Sequence, residues 1–243
     1  MWKDTERTAP PCNHRSIKHS WDANFSCSRP YESTLVSVVN ADLIDVGRSY
    51  LSDNPLVLNL ADDSFPGGCV YTGSGAAEES IFRRSNYFRT LTIDHYPLKN
   101  DEAVYSPRVT VFKEGPAHDF ARCEPFDLSL IACPGIRHPP LQEDGRMRPS
   151  DIAVLERKIE LIFQIACIHG HKVIVLGALG CGAWKNNPLD VAETFKRVIA
   201  RFNGLFERVV FAILQGAAAG YTTVLGSDRL NNFTTFSVIF SAL

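Results

Sequence analysis

The sequence predicts an α/β sandwich built on a largely parallel sheet, and three observations lead to that fold class. Short apolar runs of strand length, such as LVLNL at Leu56–Leu60, alternate with segments long enough to form helices. Two glycine-rich stretches each follow an apolar run and precede a helical segment. The 243 residues are 45% hydrophobic, which is enough for one substantial core. In sheets of this kind, ligands bind where strands end and helices begin.

Apolar periodicity places the elements in order along the chain. The clearest amphipathic helix is Asp151–His169, in which apolar side chains recur at three- and four-residue spacing. The other predicted helices are Asp42–Leu51, residues 77–91, Leu189–Phe202 and a closing helix with Phe233, Phe236, Phe240 and Leu243 on one face. The predicted strands are Leu35–Val39, Leu56–Leu60, Val109–Phe112, Asp127–Cys133, Lys172–Leu176 and Val209–Leu214.

The polar residues 1–33 are predicted to form a partly irregular N-terminal extension, ahead of one domain at residues 34–243. This segment contains Cys12, His14, His19 and Cys27, which are residue types that bind zinc. Their spacing fits no zinc module, so an irregular arm is the alternative.

Charge and cysteine content limit the function classes. The formal net charge is -2 and no basic stripe follows the chain, which excludes binding along an extended nucleic acid. The seven cysteines are irregularly spaced and favour free thiols in a reducing compartment, with Cys133 and Cys167 in the core. There is no apolar signal core and no uninterrupted apolar run of about 18 residues. We therefore expect an intracellular monomer, cytoplasmic or nuclear, without membrane contact.

The first glycine loop covers residues 61–76 and leads into two adjacent acids. Pro66-Gly67-Gly68 allows the backbone to approach a ligand without an intervening Cβ. Glu78 and Glu79 then fall in the first turn of the following helix. Acids are common there because the helix dipole favours them, so an ordinary helix start is the alternative to a catalytic pair.

The second glycine loop, Gly177–Gly182, lies between the strand Lys172–Leu176 and the helix Leu189–Phe202. Backbone amides at a strand-to-helix turn bind phosphate without any net positive charge. Two such loops are the geometric expectation for a ligand that carries two phosphates.

The order of these parts resembles the microbial type of the poly(ADP-ribose) glycohydrolases, a macro-domain family. The family pattern is Asn-Phe-Ala, Pro-Gly-Gly-Gly, a short spacer and Gln-Glu-Glu. Here it reads Asn59-Leu60-Ala61, Pro66-Gly67-Gly68-Cys69, a spacer and Ala77-Glu78-Glu79. Further similar segments are VYSP at Val104–Pro107, LGALGCGAW at Leu176–Trp184 followed by Asn186, and VVFAIL at Val209–Leu214. The resemblance spans roughly residues 35 to 240 and implies a macro-domain-like three-layer α/β/α sandwich with a mixed, largely parallel sheet.

The resemblance also implies an activity. Such an enzyme removes poly- or mono-ADP-ribose by cleaving an O- or N-glycosidic bond of the ribose. Glu79 takes the position of the catalytic acid/base and Glu78 that of the glutamate that holds the ribose. No cofactor and no metal are implied, and the expected partner is ADP-ribose or an ADP-ribosylated protein.

The remaining site residues follow from the same resemblance. Backbone amides would cradle the diphosphate, and Trp184 would pack on the ligand or simply cover its loop. Asp42 would accept from the adenine amino group, or cap a helix. Asn59 would order the loop or line the pocket. Asp62 and Asp63 stand where the family has small or polar residues, and they would bind a hydroxyl or a cationic leaving group, or be solvated acids. The amides are those of Gly67, Gly68, Cys69, Gly180, Cys181, Gly182 and Ala183.

Two departures from the family pattern motivate an alternative function. Cys69 replaces the third glycine, and Ala77 replaces the glutamine, so an amide that would hydrogen-bond in the site is missing. The alternative is a macro domain that binds ADP-ribose without cleaving it. A third reading, a nucleotide-phosphate hydrolase, would need a metal-binding carboxylate cluster that the sequence does not display. Arg83 and Arg84 are predicted to lie on a solvated helix face.

Overall fold

The computed structural model describes residues 2–215, 223–225 and 228–241, which form a seven-stranded mixed sheet between two layers of helices. The sheet order is β1-β4-β5-β3-β6-β7-β2. Its strands are β1 (Ile17–Ser20), β2 (Leu35–Val39), β3 (Pro55–Leu60), β4 (Glu102–Lys113), β5 (Arg122–Cys133), β6 (Val173–Leu176) and β7 (Arg208–Ala212). A separate hairpin pairs β8 (Thr223–Leu225) with β9 (Asp228–Leu230).

Four of the strand pairings are parallel, namely β5 with β3, β3 with β6, β6 with β7 and β7 with β2. The two pairings that involve β4 are antiparallel. The helices are α1 (Trp2–Thr8), α2 (Leu43–Ser49), α3 (Ala77–Arg84), α4 (Pro149–Ile168), α5 (Pro188–Arg201) and α6 (Asn232–Phe240). Apolar side chains of α4, α5 and α6 fill one core, and those of α2 and α3 fill a second. Because the two cores include different strand residues, the sheet is covered on both faces, which confirms the three-layer prediction.

The six predicted strands are present, and the helices expected at 151–169, 189–202 and the C-terminal end are confirmed. The predicted position of Leu243 on the closing helix lies outside the described residues. The helix predicted over 77–91 is wrong in length, because α3 ends at Arg84. Ser85 adopts an extended conformation and bridges to Val111 of β4, so pairing with the sheet replaces further helical turns.

The N-terminal segment contains two elements that the sequence pattern did not reveal. β1 pairs with β4 at one edge of the sheet, and α1 packs against α3. Thr5 Oγ1 of α1 donates to the carbonyl of Arg83, and Lys113 Nζ donates to Asp4 Oδ2 at 3.0 Å. The division into an extension at 1–33 and a domain at 34–243 stays a prediction.

The cysteine prediction holds for Cys133 and is wrong for Cys167. Cys133 is a buried free thiol, whereas Cys167 forms a disulfide with Cys27, 140 residues away in sequence. Because Cys27 is in this bond, it cannot serve as a thiolate ligand with Cys12. Within the described ranges, no group of three or more His, Cys, Asp or Glu side chains has a metal-binding arrangement. None of the helices described has the length and hydropathy needed to cross a membrane.

Candidate active site

Three loops meet at one edge of the sheet. β3 lies between β5 and β6 and is parallel to both, so the carboxyl ends of all three strands face the same way. The first glycine loop, residues 61–76, leaves β3. The second, which in the structure extends beyond Gly177–Gly182 to cover residues 177–187, leaves β6, and residues 134–148 leave β5. The two predicted glycine loops are thus neighbours, at the edge where parallel sheets bind ligands.

The backbone of the first loop requires glycine at two positions. Gly67 and Gly68 have φ values of +77° and +50°, in the left-handed region that favours glycine. A Cβ on Gly67 would lie 2.6 Å from the Phe82 ring, and one on Gly68 would lie 2.9 Å from Glu79 Oε1. The diglycine therefore lets the loop close down directly onto the carboxylates of α3.

Glu78 is buried and accepts three hydrogen bonds, one from β3 and two from the first loop. Its Oε1 accepts from Asn59 Nδ2 at 3.1 Å and from the Gly67 amide at 3.2 Å. Its Oε2 accepts from the Asp62 amide at 2.7 Å. Burial raises the pKa of Glu78 to about 8 despite these three donors, with the neighbouring Glu79 adding to the rise. Glu78 is thus held in one orientation.

Glu79 is also buried, but only one of its oxygens has a partner. Oε1 accepts from the Cys69 amide at 3.0 Å. Oε2 is shielded from solvent and has no hydrogen-bond partner among the described residues. A buried carboxylate oxygen without a donor is costly and therefore uncommon, and such groups concentrate at functional sites. The structure thus presents Glu79 Oε2 as an acceptor or acid available to a ligand.

The second glycine loop is folded around the side chain of Asn186. Asn186 Oδ1 accepts from the Ile136 amide at 3.2 Å, and Nδ2 donates to the Ile136 carbonyl at 2.5 Å. Gly180 has a φ of +72°, and a Cβ there would lie 2.7 Å from the Asn186 amide group. This loop is therefore locked by a neutral side chain to the chain that follows β5.

The two loops differ in how many of their backbone amides are available to a ligand. In the first loop, Gly67 and Cys69 donate to the glutamates, and Gly68 donates to the Phe65 carbonyl at 3.2 Å. In the second, the Cys181 amide donates to the Ala178 carbonyl. The amides of Gly182, Ala183 and Trp184 have no acceptor within the described part of the chain. The predicted cradle thus has its free donors in the second loop.

Arg137, which sequence reasoning did not single out, joins all three loops. From the chain after β5, its Nη2 donates to Asp62 Oδ2 at 2.8 Å and to Asp63 Oδ1 at 2.6 Å. Its guanidinium lies 4.4 Å from the ring centroid of half-buried Trp184. Asp62 and Asp63 are therefore not solvated acids, because they bind an arginine of the same chain. The sequence shows only an arginine four residues after the predicted strand Asp127–Cys133.

Asp42 caps α2, with its Oδ1 accepting from the amides of Ile44 and Asp45. The same oxygen accepts from Arg84 Nη1 at 2.7 Å, and Arg84 Nη2 donates to Asp45 at 2.7 Å. Arg84 is only 1% exposed and Arg83 is also buried, so the prediction of a solvated arginine face is wrong. The capping role of Asp42 is confirmed, while contact with adenine stays a prediction.

A family model describes the part of the chain that holds the two glutamates. Residues 3–114 match the catalytic domain of microbial-type PARG. This region includes the whole first loop, α3 and the strands β1 to β4. No curated protein gives a significant match.

Solved poly(ADP-ribose) glycohydrolases share this fold over most of their length. The protein from Thermomonospora curvata is 24% identical with a TM-score of 0.72, covering 98% of this chain and 88% of that one. The same protein bound to the inhibitor ADP-HPD is 25% identical, with a TM-score of 0.71 and the same coverage. The Deinococcus radiodurans protein in complex with ADP-ribose is 23% identical with a TM-score of 0.69, covering 86% of this chain and 85% of that one.

Proposed function

Because residues 3–114 match the catalytic domain of microbial-type PARG, we propose that this chain is an ADP-ribosyl glycohydrolase with Glu79 as its acid/base. The reaction is hydrolysis of the glycosidic bond between the ribose of ADP-ribose and its oxygen or nitrogen acceptor. The observation that carries the proposal is the buried Oε2 of Glu79 beside the diglycine loop, which has no hydrogen-bond partner among the described residues. Similarity to structures that hold ADP-HPD and ADP-ribose supports the ligand class.

Glu79 has the contacts that such a role requires. The Cys69 amide fixes Oε1, and Oε2 remains free to protonate the leaving oxygen or nitrogen. Once the leaving group has departed, the same carboxylate accepts a proton from the attacking water. Burial removes competing water from the acid and strengthens its interaction with the substrate.

Glu78 supports this step by orienting the ribose. Its three donors hold the carboxyl group in one rotamer, so a ribose hydroxyl would meet a preorganised partner. The pKa of about 8 keeps Glu78 largely protonated at neutral pH. A protonated Glu78 does not repel the neighbouring Glu79, and its O–H can donate to a substrate oxygen.

The diphosphate would bind at the second loop. The amides of Gly182, Ala183 and Trp184 have no acceptor among the described residues and are available to phosphate oxygens. The Trp184 ring would pack on the ligand, while Asp42 lies at the carboxyl end of β2 for contact with adenine. The first loop would contribute mainly by fixing the glutamates, since its amides at 67–69 already have partners.

We propose ADP-ribose on a protein as the substrate inside the cell, with the chain acting as a monomer. Five free cysteines support a reducing compartment, although the disulfide argues in the opposite direction. The formal charge of -2 counts against extended nucleic acid as a partner.

The test is release of ADP-ribose from a panel of polymer, serine, glutamate and arginine linkages. We expect the wild type to cleave at least one linkage and Glu79→Gln to lose about 100-fold or more in kcat, the usual contribution of general acid/base catalysis. Calorimetry should show ADP-ribose binding to both proteins. Glu143→Gln, in an exposed turn, serves as the matched control and should retain full activity. Equal rates for the wild type and Glu79→Gln would contradict the assignment.

A non-catalytic ADP-ribose-binding module is the second candidate, because Ala77 lacks the amide of the family's glutamine. It predicts binding of ADP-ribose with no release from any linkage in the same panel. The complete pair Glu78-Glu79 and the unpartnered Oε2 favour the enzyme.

A further inference from the structure

The guanidinium of Arg137 connects the start of the first glycine loop to the end of the second. Nε and Nη2 bind Asp63, and Nη2 also binds Asp62. The flat face of the group lies over the Trp184 ring. Its partners therefore fix it in two directions, in the plane of the guanidinium and perpendicular to it.

The contacts continue from Arg137 to a catalytic-site carboxyl group through Asp62. Asp62 Oδ1 accepts from the amides of Ser64 and Phe65, which closes the turn that begins the first loop. The Asp62 amide donates to Glu78 Oε2 at 2.7 Å. A shift of Asp62 would therefore move both the loop and a donor of Glu78.

The chain that carries Arg137 is itself fixed to the second loop. The Ile136 backbone forms two hydrogen bonds with the Asn186 side chain, and the His138 amide donates to the Trp184 carbonyl at 3.1 Å. A Cβ on Gly135 would lie 2.6 Å from the Gly180 Cα, so the two backbones are in direct contact. Arg137 thus lies on a segment that is hydrogen-bonded to the second loop, and its side chain binds Asp62 and Asp63 of the first loop.

Charge gives Arg137 a second effect on an anionic ligand. Asp62 and Asp63 have side-chain exposures of 18% and 29%, so their charges are only partly screened by water. The Arg137 guanidinium lowers the pKa of Asp63 and pairs with both carboxylates. Without it, two uncompensated negative charges would stand beside the proposed diphosphate site.

We propose that Arg137 is a positioning residue that sets the separation of the two glycine loops and thereby the affinity of the site for the diphosphate of ADP-ribose. The proposal rests on the proposed function for the identity of the ligand. Without Arg137, Glu78 would still accept from Asn59 Nδ2 and the Gly67 amide, so the carboxyl groups of α3 would stay in place. Removal of Arg137 should therefore raise KM and leave kcat nearly unchanged.

The experiment compares Arg137→Ala, Arg137→Lys and Arg201→Ala. Arg201 is a matched control, since it is 47% exposed against 43% for Arg137 and also bridges two carboxylates, those of Glu156 and Glu160. We expect Arg137→Ala to raise KM and the ADP-ribose dissociation constant about 10-fold, with kcat within about twofold of the wild type. Lysine keeps the charge without the bidentate geometry, so Arg137→Lys should recover about half of the loss on a logarithmic scale. Arg201→Ala should match the wild type.

Hydrogen exchange of the unliganded proteins separates this inference from the proposed function. Arg137→Ala should accelerate exchange across residues 62–69, where the amides of Ser64 and Phe65 depend on Asp62. Arg201→Ala should not. Unchanged exchange and unchanged ADP-ribose affinity in Arg137→Ala would overturn the inference alone, as would a loss confined to kcat. A wild type that neither binds ADP-ribose nor cleaves any linkage would overturn both proposals, even with altered exchange.

Discussion

The two glycine loops leave adjacent parallel strands at the same edge of the sheet, yet they are stabilised in different ways. The first is folded around buried ionisable groups, because amides at Asp62, Gly67 and Cys69 donate to Glu78 or Glu79. The second is folded around the neutral Asn186, and its amides at residues 182–184 have no acceptor in the described structure.

This difference indicates that the two loops have different roles. A loop whose amides hold carboxylates fixes the reacting groups and has few donors left for a ligand. A loop held by a neutral side chain keeps its own donors for an anion and is insensitive to protonation. Catalysis should therefore depend on the geometry of the first loop, while the second should contribute stability and binding that do not change with pH.

The largest expected effect comes from placing a side chain between the first loop and its glutamates. In Gly68→Ala, the Cβ would lie 2.9 Å from Glu79 Oε1 and 3.2 Å from Glu78 Oε2. Displacement of a catalytic group by about 1 Å costs on the order of 100-fold in rate, so we expect a kcat loss of that size in steady-state assays. Gly73→Ala is the control. Gly73 has a φ of +91° and open space around it, so the backbone strain is present without the collision. Comparable losses in both variants would show that strain alone is responsible.

Asn186→Ala tests the second loop. It removes the hydrogen bonds to the Ile136 backbone and leaves polar groups of a buried region without partners. We expect the free energy of unfolding, measured with urea, to fall by about 2–3 kcal/mol. The loss should be the same at pH 6 and pH 9, because no ionisable group is involved. The neighbouring Asn187→Ala removes the N-cap of α5 and should cost about 1 kcal/mol. A strong pH dependence for Asn186→Ala would contradict the comparison.

The third prediction concerns the protonation of Glu78, whose effect over one pH unit is smaller than that of Asn186→Ala but accumulates with pH. The folded protein keeps this proton up to a pKa of about 8, whereas an unfolded glutamate releases it near its ordinary pKa of 4.5. Between these two values the folded state binds more protons, so the free energy of unfolding falls as pH rises and levels off above about 8. This group contributes a slope of up to about 1.4 kcal/mol per pH unit. Urea unfolding of Glu78→Gln from pH 5 to 9 should lack that slope, while the exposed Glu143→Gln should keep it. Parallel curves for the wild type and Glu78→Gln would refute the buried-acid description.

Local patterns were sufficient to predict the framework and to select the adjacent glutamates of α3. Continuous apolar runs predicted β3 and β6, because these strands are buried on both faces. Apolar residues at three- and four-residue spacing predicted α4, because one face of that helix is buried. Glu78 and Glu79 could be selected because the loop before them, and the order of motifs around it, are also local in sequence.

The rest of the site depends on contacts between distant segments, which one sequence does not display. Arg84 looked solvated because its carboxylate partners lie 39 and 42 residues earlier in the chain. The helix through residue 91 was wrong because Ser85 pairs with Val111. The apolar run around Cys167 predicts a free thiol, and its disulfide partner Cys27 is 140 residues away. Arg137 was missed for the same reason, since its partners Asp62 and Asp63 lie on another loop.

The order of the strands has a consequence for the growing polypeptide on the ribosome. β2 is the outer strand of the sheet and pairs with β7, whose residues Arg208–Ala212 are synthesised about 170 residues later. Until then β2 has no neighbour and β6 presents an unpaired edge of four buried residues. Such edges associate readily with other chains. The aspartate that follows β2 and the glycine loop that follows β6 therefore reach their native relationship only after β7 has been synthesised, and this step is the one most exposed to misassembly.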